Sequence, residues 1–136
     1  MVKQIRRGAS HSKPPLKKTK RRNPKGVIHI QLTINNAIAT LTTLKGDVLC
    51  WCSAGTCGFK GARKGTPFAA QTVAETVARA SIDRGVKLTN LVITGSTSGR
   101  KKALFGIINT GIGINAIRDV TPLPHNGCRP PKKRRL

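Results

Sequence analysis

From Ile28 to Ile34 apolar and polar residues alternate, with Ile28, Ile30, Leu32 and Ile34 separated by His29, Gln31 and Thr33. Successive side chains of an extended chain point to opposite faces, so this alternation predicts a strand buried on one side. Asn35-Asn36 turns the chain, the β-branched run Ile38 to Leu44 supplies a second strand, and Lys45-Gly46-Asp47 turns into a third from Val48 to Cys52. Between Ser53 and Gly65 the alternation stops, and Gly55, Gly58, Gly61 and Gly65 mark a loop. Thr66-Pro67 then opens a helix: a threonine hydroxyl can accept from a free amide of the first turn, and proline fits the first helical position. Ala70, Val73, Ala74, Val77 and Ser81 share one face of it until Gly85 ends it. Leu91-Val92-Ile93 reads as a fully buried parallel strand, and Gly95 to Gly99 as a loop. Arg100 begins a second helix with Ala103, Leu104, Ile107 and Ile108 inward, and Ile112 to Ile117 makes a last strand.

The order βββαβαβ predicts an α/β domain, a mixed five-stranded sheet with flanking helices. Hairpins suffice to join the first three strands, whereas parallel neighbours need helical crossovers. The order resembles the core of the ribonuclease H-like architecture, a likeness that carries no activity with it. The domain runs over residues 26–117, between an arm at 1–25 and a tail at 118–136.

Charge is concentrated at the two ends. The chain of 136 residues carries 26 Lys and Arg against 4 Asp and Glu, a formal net charge of +22. No internal pairing neutralises that excess, so a polyanion is the expected partner, with each cation placed at a phosphate releasing a counterion. Ten of the basic residues lie in residues 1–25, among them Arg6, Arg7, Lys17, Lys18, Lys20, Arg21, Arg22 and Lys25, with three prolines and no acid. The tail ends Arg129-Pro-Pro-Lys132-Lys133-Arg134-Arg135-Leu136. Segments of this composition bury no core and are expected to be disordered until they meet their partner. The loop before the first helix adds Lys60, Arg63 and Lys64 among its glycines, a setting in which backbone amides and positive charge cradle phosphate. Neither arm has apolar residues at helical spacing, which argues against a membrane surface. No apolar stretch follows the basic N-terminus, so no secretory signal is expected, and few hydroxyl residues speak for a transit peptide there.

Two long motifs narrow the reading. Ser53-Ala-Gly-Thr-Cys-Gly-Phe-Lys-Gly-Ala-Arg-Lys-Gly-Thr-Pro-Phe-Ala-Ala-Gln71 and Asp119-Val-Thr-Pro-Leu-Pro-His-Asn-Gly-Cys-Arg-Pro-Pro-Lys-Lys-Arg-Arg135 resemble the central and C-terminal signatures of the S-eleven family of small-subunit ribosomal proteins. The resemblance covers the chain from about Gly26 to Leu136. It implies a structural role on the platform of the small ribosomal subunit, binding the central domain of its rRNA near the messenger exit path. Implied neighbours are proteins of the S-seven, S-eighteen and S-twenty-one families, with mRNA nearby. It implies rRNA contact for Arg100, Lys101, His125, Asn126 and Arg129, beside the cations of the arms and loop. Gly55-Thr56-Cys57 and Gly65-Thr66-Pro67 look more like plastid than bacterial members, which points to a chloroplast ribosome, with the bacterial cytoplasm as the alternative. Members commonly read Gly-Pro-Gly-x-Gly-Arg where this chain has Gly95-Ser-Thr-Ser-Gly99-Arg100, often followed by an acid where Lys101 stands. Cys50 and Cys52 replace other small residues.

Competing chemistries fail on inventory. A ribonuclease H-like nuclease needs clustered carboxylates for two metals, and the chain offers Asp47, Glu75, Asp83 and Asp119, spread along it. His11 lies in the arm expected to be disordered, His29 faces out from a strand and His125 lies between Pro124 and Asn126, none in a setting that acid–base catalysis requires, so neither catalysis nor a cofactor is expected. Cys50-x-Cys52 lacks the usual spacer of zinc ligands; the two thiols read as small semi-buried residues on one strand face with Trp51 opposite. With Cys57 and Cys128 they are expected to stay reduced. One Trp, three Phe and no Tyr leave little for an aromatic base-stacking platform, so recognition of RNA shape and backbone is expected. An architectural DNA-binding protein would explain the charge but not the two long motifs.

Overall fold

The first strand, β1, runs over Lys25–Leu32 and buries Ile28, Ile30 and Leu32 while leaving His29 and Gln31 in solvent, as the alternation requires. The structure is a computed structural model that describes residues 24–133 and 135. The expected arm cations Arg6, Arg7, Lys17, Lys18, Lys20, Arg21 and Arg22, together with Arg134 of the tail, lie outside the described residues. β2 (Ala37–Thr42) and β3 (Val48–Ser53) continue the meander, each antiparallel to the strand before. A short 3-10 turn at Gly61–Gly65 precedes α1 (Pro67–Asp83); β4 (Leu88–Thr94), α2 (Gly99–Asn109) and β5 (Gly113–Asp119) follow. The strands lie in the order β3-β2-β1-β4-β5, with β4 parallel to both β1 and β5.

Both helices lie on one face of the sheet. Their core with it holds Ile28, Ile30, Leu41, Leu91, Val73, Val77, Val86 and Ile107, each at most 2% exposed. That one-sided cover corrects two expectations. Leu91-Val92-Ile93 is not buried throughout: Leu91 and Ile93 point into the core, and Val92 points to the uncovered face and is only half-buried. In α2 the buried stripe is Gly99, Ala103, Gly106 and Ile107, with Leu104 at its edge and Ile108 56% exposed. α2 meets α1 through small residues, which lets the helices approach closely: a Cβ on Gly106 would lie 2.9 Å from the Gln71 carbonyl, and one on Gly99 2.9 Å from the Ala70 Cβ. That contact turns Ile108 outward. The face expected for α1 is the face observed, from Ala70 to Ser81, whose hydroxyl donates to the Val77 carbonyl. On β3, Cys50 and Cys52 face the helices and Trp51 faces out, 60% exposed.

Candidate nucleic-acid interface

β1 and β4 end on the same side of the domain, and both helices begin there. Thr66 caps α1, its hydroxyl accepting from the Ala69 N–H at 3.3 Å, and Pro67 takes the first helical position. The start of α2 lies against the start of α1. The unpaired amides of two helix N-termini therefore share one end of the molecule, and each carries a partial positive charge.

The basic glycine loop is held at this same end. The 3-10 turn packs so tightly on the turn between β1 and β2 that a Cβ on Gly65 would lie 2.3 Å from the Ile34 carbonyl oxygen, which only glycine tolerates. Lys60 and Arg63 are exposed and Lys64 is half-buried beside this contact.

The tail comes to the same place by a different route. After β5 the Val120 N–H donates to the Ile93 carbonyl and the Gly95 N–H donates to the Thr121 hydroxyl oxygen. Asp119 ties this exit together: one carboxylate oxygen accepts from the Thr121 hydroxyl at 2.6 Å and its N–H at 3.1 Å, and the other meets the Arg100 guanidinium. The Thr121 hydroxyl first, then Arg100, hold the Asp119 carboxyl down at about 2, from an ordinary 3.8. The chain then passes exposed through His125, Asn126 and Arg129. Asn126 takes the left-handed conformation at φ 53°, which asparagine tolerates better than most residues. Pro131 shares the lining of an open pocket with Leu32–Asn35 and Ser96-Thr97, and the Asn35 amide donates to the Lys132 carbonyl at 3.4 Å. The tail expected to be free is thus tied to the domain at Val120-Thr121 and again at Lys132, and is exposed over 122–130.

An open cleft of about 670 Å³ results, lined by Ile34, Asn35, Gly61, Ala62, Lys64, Lys132, Lys133 and Arg135. It brings Lys64 of the loop together with three tail cations about seventy positions away in the sequence, with no acid in its lining. Cations around a concave surface attract a polyanion backbone and neutralise successive phosphates. Other expected site residues lie elsewhere. Lys25 is exposed at the start of β1, the opposite end of that strand from the cleft. Lys101 is exposed on α2, and Arg100 is engaged by Asp119. The contribution of Ile34 and Asn35 was missed from the sequence, where Asn35-Asn36 carries only a turn signal. Among the described residues no three His, Cys, Asp or Glu side chains gather where a metal could be held.

Residues 26–135 match the family described as Ribosomal protein S11. The chain belongs to that family. Similar curated proteins include the small ribosomal subunit protein uS11c of Pleurastrum terricola, 64% identical over 120 residues, covering 88% of this chain and 93% of that one. The uS11c of Mesostigma viride is 57% identical over 136 residues, the whole of both chains, and that of Physcomitrium patens 59% identical over 121, covering 89% and 93%. As a member of the ribosomal protein S11 family, the chain is a structural ribosomal protein and not an enzyme. The matched span includes the loop, the cleft and nearly all of the tail.

Proposed function

We infer that this chain is a structural constituent of the small subunit of a plastid ribosome and binds small-subunit rRNA through phosphate and shape contacts. The observation that carries the mode of binding is the meeting of Lys64, Lys132, Lys133 and Arg135 around one cleft, beside two helix N-termini. The cleft takes the backbone of folded rRNA. Lys60, Arg63, Lys101, His125, Asn126 and Arg129 extend the contact over the adjoining surface, and the basic arms add further phosphates. Arg100 positions the tail through Asp119 and belongs to the same contact surface. The uS11c names of the green-algal and moss relatives support the plastid assignment.

Within the subunit the expected place is the platform, on the central rRNA domain near the messenger path, beside proteins of the S-seven, S-eighteen and S-twenty-one families. The strand order β3-β2-β1-β4-β5 with β2 antiparallel supports the ribonuclease H-like reading of the core. The domain at 26–117 works as a rigid bracket from which the arm at 1–25 and tail at 118–136 reach into RNA.

The test is binding to a folded central-domain fragment of small-subunit rRNA, against scrambled RNA of equal length and duplex DNA, over a salt series. A preference for the rRNA fragment that survives moderate salt is expected, with a shallower salt slope when residues 1–25 are deleted. Equal binding to all three polyanions would overturn specific recognition and leave a general polycation.

A further inference from the structure

The turn that leads from β3 into the basic loop holds two thiols against each other. Cys52 faces the helices and is 7% exposed, Cys57 is half-buried, and their Sγ atoms lie 3.1 Å apart. Ordinary non-bonded heavy atoms settle at about 3.5–4.0 Å, and a disulfide bond needs about 2.05 Å, so closure asks for a movement of about 1 Å.

Hydrogen bonds within the turn, backbone and through the Thr56 hydroxyl, hold the two cysteines' backbones close. The Cys57 N–H and the Thr56 hydroxyl both donate to the Ser53 carbonyl, at 3.1 and 2.8 Å. The Ser53 N–H donates back to the Thr56 hydroxyl at 2.8 Å, and the Phe59 N–H donates to the Ala54 carbonyl at 3.0 Å. The segment from Ser53 to Phe59 is therefore wound into one closed turn that sets Cys57 over the end of β3. The other polar neighbours of the sulfurs are the Ser53 carbonyl, 3.7 Å from Cys52, and two hydroxyls, Thr56 at 3.2 Å from Cys52 and Thr76 at 3.9 Å from Cys57. Burial, then the contact with Cys52, pushes the Cys57 thiol up to about 11. The resting Cys57 is thus a protonated thiol, slow to react with a first oxidant, and Cys52 lies close enough to finish the reaction internally.

We propose that Cys52 and Cys57 are a reversible dithiol–disulfide modification site, which closes the turn at the base of the basic loop when the chain meets a low-molecular-weight disulfide. The Cys57 sulfur, the more exposed, loses its proton to solvent and attacks one sulfur of the oxidant. The oxidant's S–S bond breaks, and one half leaves as a thiolate that takes up a proton. Cys52 then loses its proton, attacks the Cys57 sulfur and expels the second half in the same way. Two protein thiols are oxidised to one disulfide, and one disulfide is reduced to two thiols. A dithiol reductant runs the exchange backwards. In a reducing compartment the dithiol is the default state, and the site responds only to an oxidising shift. This inference does not depend on how RNA binds.

The test uses the folded full-length chain carrying Cys50→Ser and Cys128→Ser, so that two thiols remain, with the wild-type chain in parallel. Each is incubated with glutathione disulfide at mildly alkaline pH, quenched in acid, then unfolded and labelled with N-ethylmaleimide. The expected product is lighter than the reduced chain by two hydrogen atoms, takes up no label at Cys52 or Cys57, and returns to the dithiol with dithiothreitol. Adding Cys57→Ser should leave no such product. Hydrogen exchange at the amides of Cys57 and Phe59 should slow in the oxidised form. Full labelling of both thiols, a lasting glutathione adduct with both cysteines present, or closure only in denaturant would each overturn the proposal.

Discussion

Replacing Lys64, Lys132 and Lys133 by Gln removes three positive charges from the lining of one cleft with little change of side-chain length. If each lysine neutralises one phosphate, the slope of log affinity against log salt becomes shallower by about 0.7–0.9 per residue, about 2–3 in all. Over a fourfold rise in salt the wild-type chain then loses about 20- to 40-fold more affinity than the variant. The comparison that isolates the cleft is a second triple variant, Lys45, Lys87 and Lys102 to Gln, with the same charge loss at exposed positions outside the cleft lining. Binding is measured by fluorescence anisotropy on the folded central-domain rRNA fragment at several salt concentrations, with unfolding midpoints to confirm that both variants fold. A slope change concentrated in the cleft variant is expected. Equal changes in the two triples would refute the cleft and leave charge alone as the cause.

Gly95→Ala places a Cβ 1.9 Å from the Leu32 carbonyl oxygen at φ +109°, so backbone strain and overlap add; a loss of about 3 kcal/mol or more is expected in urea unfolding, and a loss below about 1 kcal/mol would contradict the close approach. Thr66→Ala removes the α1 cap and should cost about 1 kcal/mol, with Thr66→Ser near wild type by the same assay. Asp119 has its folded value depressed to about 2 from 3.8 by Thr121 and Arg100, so its contribution is present above pH 3.8 and is lost as pH falls through about 2. The stability difference between wild type and Asp119→Asn, followed by chemical unfolding in acid, should shrink over that window; a difference independent of pH there would reject the assignment.

Much of the fold was legible because its local and tertiary preferences agree. The alternation from Ile28 to Ile34 marked a strand with one wet face, although β1 ends at Leu32 and Ile34 is exposed in the turn beyond it, and Thr66-Pro67 marked the start of α1, because periodicity and capping act over a few residues. Val92 and Ile108 were misjudged because burial at those positions depends on which side of the sheet the second helix takes. A run of three apolar residues reads alike whether one face or two are covered. The basic character of the loop and tail, and the family to which they belong, were likewise readable from composition and from two contiguous motifs.

Their meeting was not. Nothing local to Lys132 or Lys133 says that Lys64 stands opposite, because the tail's course is set by single contacts between distant segments: Thr121 with Gly95, Asp119 with Arg100, and Asn35 with the Lys132 carbonyl. The same holds for Cys52 and Cys57, five positions apart, whose sulfurs touch only because hydrogen bonds wind the intervening turn back over β3. The linear chain determined the strands, the first helix, the charge and the kind of partner. Only tertiary structure decided which cations share a surface and which thiols share a contact, since those depend on through-space distances that sequence spacing does not encode.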